Sequence, residues 1–585
     1  NYYRGMQGQD LNFKVATPSY NKKQWYRMSA FIDYEDRTIA YYLDGEYVAM
    51  CSLPDDYKRM EGFYYTVNTD NGSTVVYLDN ISIMQVKETG KPIKVADRVG
   101  VIEKFNRKSQ ITSDALGQIF FDKNILFNIN PINLYPKSHT YSIKYNVKNE
   151  YGRIVYSNQI ESEVEGNSQT DVQLPAAVDK YGFYSLNVEM HNIDHEEDCI
   201  KKQMYFSVVN KPAEGVRNNY MAVCSHTGRG EGAAEIERKV ALFANAGFSA
   251  LRDGYEWREV EQASGVYNFT KYDEYDNTMK EYGIKRFQMV FGGRDNISGE
   301  YVPRSNEAIA AYAKYAAAIV KSRSSYIDEI EIWNEYNLVG NSSFNPDNGT
   351  VQDYINMLKE TYKEVKAANP DIFVWGAGGI CSLPTSGMPW LEEFFSLKGA
   401  DYCDGISIHP YSGTGGPEKS TEYIQNVAEL AAKYGYENIP ILSSEVGWNT
   451  TVVSDNDQAN YAVRHAASAM GKVKTMYWYN DQEKDTATSD SEKKFGMIRG
   501  WTEAGAAPYP TYSAKPMFAA LSNWNALMTD TAPINNFDLN GSAMYLFDKK
   551  DSPDNVAVVW NEEALPQNIG IKLNTDKITV YDIYG

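Results

Sequence analysis

From about Asn218 the chain changes its period, and that change constrains the fold more than any other feature. Short apolar runs of strand length begin to alternate with segments whose apolar residues recur at helical spacing. Tyr220–His226, Phe248–Asp253, Lys285–Phe291, Ile327–Trp333, Asp371–Gly376, Tyr402–His409, Pro440–Glu445 and Val473–Tyr479 read as strands. The segments between them read as helices: Ala233–Ala246, Lys271–Tyr282, a long Ala-rich one capped by Ser305, Val351–Ala368, a short one near Pro389–Leu397, Thr421–Tyr434 and Asp457–Gly471. Ala514–Leu527 closes the series. Within Val351–Ala368, Ile355, Leu358, Tyr362 and Val365 form one stripe, and Asn369-Pro370 stops the helix. Eight strand–helix units predict a (β/α)8 TIM barrel over residues 212–528. A doubly wound sheet fits less well, because no Gly-rich phosphate turn follows the first strand.

The flanks read as all-β. At 585 residues the chain exceeds what one core holds, and about three or four domains are expected. In residues 1–90, Trp25–Tyr34, Thr38–Leu43 and Val75–Met84 are strand-like, with a hairpin turn at Asp44-Gly45. Their Trp-Tyr-Arg, Tyr-Leu-Asp-Gly and Leu-Asp-Asn-Ile stretches resemble laminin-G or concanavalin-like sandwiches, here incomplete. Residues 91–211 carry Tyr141–Val147, Ile154–Val164, Thr170–Leu174, Phe183–Met190 and Lys202–Val209, spaced as in an immunoglobulin-like sandwich. Residues 529–585 carry Ala543–Phe547, Val556–Trp560 and Ile578–Tyr581 and read as part of a C-terminal β-domain. Both ends fall in strand-rich sequence, so a longer protein is expected.

Composition narrows the partners. The formal charge is −20, from 57 basic and 77 acidic residues. That excludes the broad basic footprint of a nucleic-acid binder. Five cysteines, Cys51, Cys199, Cys224, Cys381 and Cys403, are scattered without metal or disulfide-framework spacing. No run is long and apolar enough to cross a membrane as a helix. The 46 tyrosines suit either sugar-stacking surfaces or plain β structure. His139, His191 and His195 read as solvated or structural.

Two strands of the barrel end alike. Ile330-Glu331-Ile332-Trp333-Asn334-Glu335 delivers one carboxylate at the tip of the fourth strand. Ile439-Pro440-Ile441-Leu442-Ser443-Ser444-Glu445 delivers another at the tip of the seventh. The C-terminal strand ends are where this fold places chemistry. Two carboxylates converging there are the machinery of glycosidic bond cleavage, one as general acid and one as nucleophile or base. His226, ending the first strand, is a candidate for the pocket lining. Asp481, after the eighth, either binds a sugar hydroxyl or caps a loop. Trp333 and Trp448 serve either as wall packing or as ligand contacts.

These residues also resemble a known group. Trp333-Asn334-Glu335, Ser444-Glu445-Val446-Gly447-Trp448, Ile408-His409-Pro410-Tyr411, Gln458-Ala459-Asn460-Tyr461 with Arg464, and Tyr477-Trp478-Tyr479-Asn480-Asp481 resemble glycoside hydrolase clan A, nearest to family 39-like enzymes. The resemblance covers about 218 to 528. It implies a retaining mechanism with Glu335 as acid/base and Glu445 as nucleophile. It further implies that Asn334 meets the sugar 2-hydroxyl and that Arg252 keeps the nucleophile ionised. By the same resemblance His409 and Tyr411 orient the nucleophile or the sugar, and Trp478 forms an aromatic platform. Taken without it, Arg252 has a surface alternative in Asp253 or Glu256, and His409 a structural one.

The expectation is therefore a secreted or cell-surface enzyme that hydrolyses a poly- or oligosaccharide without metal or organic cofactor. A non-catalytic glycan-binding barrel and a transglycosylase are the alternatives. The stretches Gly292–Arg304, Val339–Gly349 and Glu483–Gly500 are long enough to shape either a groove or a pocket, which leaves endo and exo action both open.

Overall fold

The computed structural model describes the strands within residues 28–52 by their backbone. It also describes residues 109–585 apart from 134–136, 167, 196–198, 229–231, 292–299, 384, 484–489, 501–512, 563–567 and 573–576. Eight parallel strands close into a barrel: β1 (Met221–Cys224), β2 (Ala250–Asp253), β3 (Lys285–Val290), β4 (Glu329–Ile332), β5 (Phe373–Cys381), β6 (Gly405–His409), β7 (Ile441–Val446) and β8 (Met476–Trp478). Closure is made by β1 pairing with both β2 and β8. The helices that follow the strands in turn are α1 (Ala233–Asn245), α2 (Asp273–Glu281), α3 (Asn306–Arg323), α4 (Val351–Ala368), α5 (Gly387–Ser396), α6 (Pro417–Lys433), α7 (Asp455–Ala469) and α8 (Pro516–Met528).

The helix boundaries follow from local chemistry. Ser305 accepts the Ala308 N–H at the start of α3, and Thr350 forms a capping box with Asp353 at the start of α4. Each cap satisfies backbone donors that a helix leaves unpaired, and a single Ser or Thr cap contributes about 1 kcal/mol. Strand β4 shows how period two sorts side chains. Ile330 and Ile332 pack outward in the core shared with the helices. Glu329 and Glu331 sit on the other face, where Trp375 Nε1 donates to Glu329 at 2.8 Å. Inside the barrel a smaller apolar cluster, including Phe287, Trp375, Leu442 and Tyr477, fills the space below the site.

Strand β5 is longer than its sequence predicts. Ala377, Gly378 and Gly379 all have positive φ, near +60°, and the register with β6 shifts between Gly376 and Ile380. The strand therefore bulges and resumes, and ends at Cys381 rather than Gly376. Apolar runs do not announce a bulge of this kind, since every residue in it is small and buried.

Ahead of the barrel, two sheets pack face to face, antiparallel throughout except where Ile119–Phe120 runs parallel to Cys199–Val208. One holds Ile111–Thr112, Asn124–Ile129 and Val172–Ala177. The other holds Ile119–Phe120, His139–Asn149, Ile154–Val164, Gly182–Asn192 and Cys199–Val208. Ile125, Phe127 and Ile129 alternate inward against Ile143, Tyr145, Leu186, Val188 and Phe206 in one core. In the N-terminal part, Met28–Asp33, Thr38–Leu43 and Glu46–Ser52 form an antiparallel meander in which Leu43 pairs with Glu46; the expected Asp44-Gly45 turn lies outside the described residues. The expected strand Val75–Met84 lies outside the described residues.

After α8 comes a three-stranded sheet of Thr531–Asp538, Ser542–Lys549 and Asn555–Asn561. Phe547 joins the barrel core. The expected strand Ile578–Tyr581 does not form. Ile578 and Val580 are exposed and pair with no strand, and Thr531–Asp538 takes the third place in the sheet instead. Near the chain end Tyr584 packs on Phe183 of the sandwich, and Asn523 of α8 donates to the Ile583 carbonyl at 3.2 Å. Among the described residues no helix is long and apolar enough to cross a membrane.

Candidate active site

The C-terminal end of β4 is bent out of strand geometry. Trp333 has φ +74° and Glu335 φ +48°, with Asn334 between them. Non-glycine residues in that region cost about 1–3 kcal/mol each and persist only where surrounding structure forces them. Here the Trp333 ring is locked in the wall against Phe291 and Tyr312, and its Nε1 donates to the Phe344 carbonyl at 3.0 Å. The β5 bulge completes the constraint, because Gly378 O accepts the Glu335 N–H at 2.7 Å. A Cβ on Gly378 would stand 2.5 Å from the Ile332 carbonyl oxygen. One on Gly379 would stand 2.2 Å from His409 Nε2. Both positions therefore demand glycine, by conformation and by space.

His409, fully buried at the tip of β6, sits between the two carboxylates. Its Nδ1 lies 2.8 Å from Glu335 Oε1 and 3.6 Å from Glu445 Oε2. Taking one ligand atom from each of Glu335, His409 and Glu445, all lie within 4.8 Å of one another. That is also the one group among the described residues compact enough to hold a metal ion. A dication there would meet the Arg252 guanidinium already seated on Glu445.

Arg252, ending β2, is buried and shared. Its Nη1 donates to Glu445 Oε1 at 2.6 Å, its Nη2 to Asn334 Oδ1 at 2.7 Å and its Nε to Glu331 Oε2 at 2.7 Å. Tyr411 donates its hydroxyl to Glu445 Oε2 at 2.9 Å. Burial alone would raise the Glu445 pKa. The charges of His409 and Arg252 and the hydrogen bonds from Tyr411 and Arg252 outweigh it, so the carboxyl lies below the ordinary glutamate range. For Arg252 burial works against the cation, but Glu331 and Glu445 hold its pKa well above the usual value. Burial, reinforced by Glu445, raises the Tyr411 pKa, so its phenol stays a donor.

The structure thus brings together Glu335, Glu445, Arg252, Asn334, His409 and Tyr411. Arg252 is paired inward and not with Asp253 or Glu256 at the surface. His226 lies at the edge, its ring 6.1 Å from that of Tyr479. Two expectations need correction. Trp478 is fully buried, with its ring 5.8 Å from the buried Trp448, so neither face is open to a sugar. The next residue, Tyr479, stands by the site instead, beside Tyr411, His226 and Phe495, with its hydroxyl donating to Glu492. The strand end continues its alternation, and the odd-numbered neighbour faces in. Asp481 is not turned to the pocket either. Its Oδ2 accepts from Ser225 at 2.8 Å and from Thr227 at 3.3 Å and pairs with Lys239 at 3.8 Å. It ties the ends of β1 and β8 together. Trp448 is wall as well, its Nε1 donating to the Gly415 carbonyl at 2.9 Å.

Sequence reading missed Glu331 and Tyr479. For Glu331 a signal existed: a carboxylate at an inward position of an otherwise apolar strand must find a cation. Which cation it finds is set by strands distant in sequence.

Residues 247–505, from just before β2 to beyond β8, match the model of the glycosyl hydrolase catalytic core. The chain is similar to the structure of a family 39 glycoside hydrolase from the gut symbiont Bacteroides cellulosilyticus WH2. Identity is 22%, the match covers 80% of this chain and 92% of that one, and the TM-score is 0.62. At that identity the likeness is one of fold. A Bacteroides uniformis beta-glucuronidase (8% identity, 77% of this chain and 60% of that one, TM-score 0.37) is too distant to carry an argument. So is the exo-beta-1,4-mannosidase Op5Man5 from Opitutaceae bacterium strain TAV5 (13%, 55% and 61%, TM-score 0.41). No curated protein matches the sequence. The barrel is a glycosyl hydrolase catalytic core, and its substrate class is carbohydrate.

Proposed function

We propose that the barrel is a retaining glycoside hydrolase of the clan A kind, working by double displacement, with Glu445 as nucleophile and Glu335 as acid/base. One observation carries the reading: a carboxylate oxygen of each lies within 4.8 Å of the other. Retaining enzymes hold their pair about 5 Å apart, whereas inverting ones leave roughly 6.5–9.5 Å for a water.

In this reading Glu445 attacks the anomeric carbon as the glycosidic C–O bond breaks, and Glu335 gives its proton to the departing oxygen. Glu335 then takes a proton from water, which attacks the same carbon and returns the electron pair to Glu445. Arg252 and Tyr411 fix both oxygens of Glu445 and keep it ionised before attack. His409 holds Glu335 in orientation. Asn334 spends its acceptor on Arg252, which leaves its amide N–H donors for a sugar hydroxyl. Tyr479 replaces Trp478 as the aromatic beside the sugar. No step calls for a metal or organic cofactor. The same proposal places the action outside the cell, on a polymeric or cell-surface glycan, and cell fractionation tests that part.

The test of mechanism is stereochemical. Proton NMR of the first product from an activated aryl glycoside reads the anomeric configuration, expected to match the substrate. With Glu445→Ala, added azide is expected to give a glycosyl azide of opposite configuration. With Glu335→Ala it is expected to give the same configuration. Inversion by wild type, or full turnover by Glu445→Ala, would sink the assignment.

A further inference from the structure

Glu331 makes no direct contact with either oxygen of Glu445 or Glu335, yet it is wholly buried and bound to the same guanidinium as the nucleophile. Arg252 Nε donates to its Oε2 at 2.7 Å, and Nη2 lies 2.6 Å from the same oxygen. Its other oxygen, Oε1, has no hydrogen-bond partner among the described residues. Among those residues Arg252 is the cation it pairs with. The guanidinium in turn is bound by two carboxylates from opposite sides, and Met289 Sδ is 3.3 Å from Nη2.

With Glu445 as nucleophile, a reading on which the role of Glu331 rests, this arrangement has a meaning in time. When Glu445 bonds to the anomeric carbon its negative charge is consumed in the ester. Arg252 stays buried and charged, and a buried cation that loses its partner is strongly disfavoured. Glu331 takes no part in bond making and stays bound to Arg252 throughout. It also lends like-charge repulsion to Glu445 before attack, which opposes an over-stabilised nucleophile.

We infer that Glu331 is a positioning residue that acts through Arg252. It supplies the counter-charge that remains when Glu445 is neutralised, so its loss penalises formation of the glycosyl-enzyme more than its breakdown.

Glu331→Gln keeps the shape and an acceptor oxygen while removing the charge. Stopped-flow release of 2,4-dinitrophenolate, from the dinitrophenyl glycoside that wild type hydrolyses best in a panel of β-configured sugars, separates the two steps. The burst rate of Glu331→Gln is expected to fall at least tenfold below wild type. The deglycosylation rate should fall by a much smaller factor or rise. The acidic limb of kcat/KM should move to lower pH, because Glu445 then holds Arg252 alone. A burst rate that is unchanged, or equal losses in both steps, would overturn the inference. If Glu331→Gln fails to fold, the comparison moves to Arg252→Met against Arg252→Met/Glu331→Gln. Removal of Glu331 is expected there to cost no further activity, and a further loss would overturn it. Trapping wild type with the corresponding 2-deoxy-2-fluoro glycoside and mapping the labelled peptide checks the premise separately. Label on a residue other than Glu445 refutes the nucleophile assignment, whereas label on Glu445 with unmoved Glu331→Gln kinetics refutes only the counter-charge.

Discussion

Two of the barrel's ionic clusters are built on opposite principles. At the mouth, Arg252 is, among the described residues, the one fixed cation beside Glu331, Glu335 and Glu445. Beyond β8, Lys515, Arg499 and Lys494 surround Glu483 and Asp455. Lys515 Nζ lies 2.9 Å from Glu483 and 3.7 Å from Asp455, Arg499 lies 2.6 Å from Asp455, and Lys494 lies 3.9 Å from Glu483. The second cluster has its charges answered, and it ties the segment after β8 to the starts of α7 and α8. The first leaves carboxylates in excess and sits on strained backbone at Trp333 and Glu335. Burial and pairing are common to both. What distinguishes the mouth is that its negative charge is left in excess, which the proposed mechanism would consume.

The comparison is broken most sharply at its two centres. Glu445→Ala is expected to lower kcat by about 10⁴-fold or more with the melting temperature unchanged or raised, since a charge in excess is removed. Steady-state kinetics and calorimetry on one preparation check both halves. Lys515→Met is expected to do the reverse. Leaving Glu483 buried without its nearest cation costs about 3–5 kcal/mol of stability, while kcat per folded molecule stays at the wild-type value. A Lys515→Met protein that melts normally and turns over poorly would reverse the two roles.

Next in size is Gly379→Ala. The added methyl meets His409, and through it the seat of Glu335. A displacement of that order costs about 10²-fold in kcat, and the KM is expected to change far less. Chromatographic rates across a substrate concentration series would show it, as a fall in kcat at a nearly constant KM.

The pH dependences of the two clusters should also separate. On the proposed assignment Glu445 must be ionised to attack, and its pKa is depressed, so the acidic limb of kcat/KM is expected below the ordinary glutamate value of about 4.3. Asp455 is also depressed. Burial raises its pKa, but Arg499 and Lys515 more than reverse that. The unfolded chain then takes up the proton first. The contribution of Asp455 is whole above the ordinary aspartate value of about 4 and is lost as pH falls through the depressed one. Urea titrations between pH 3 and 6 measure this, and Asp455→Asn should flatten the slope. The smallest effect expected is that of Asp481→Asn, which weakens a loop tie by roughly 1–3 kcal/mol and leaves the sugar specificity as it was.

Much of the molecule is legible in its sequence. Each of the eight strand–helix units falls where the period changes, and α4 has the bounds that its stripe and its Asn-Pro stop imply. Glu335 and Glu445 are expected at one barrel mouth from strand-end position, and Arg252, His409 and Tyr411 beside them from the family resemblance. Trp478 misses by one place, because only the bent end of β8 decides which of two adjacent aromatics faces in. Asp481 stands between two roles that its sequence neighbours do not separate. The β5 bulge is invisible, since Ala377, Gly378 and Gly379 are consistent with any tight backbone.

By itself the sequence determined the architecture and the two carboxylates, because hydrophobic period and strand-end position are local properties. Tertiary structure alone decided that Arg252, from β2, serves Glu331, Asn334 and Glu445 together, and that His409 lies between the two carboxylates. It alone brought those carboxylates within 4.8 Å. Distances of that kind are fixed by how eight strands close and tilt, and electrostatic coupling between buried groups depends on those distances and on the burial that the closed barrel imposes.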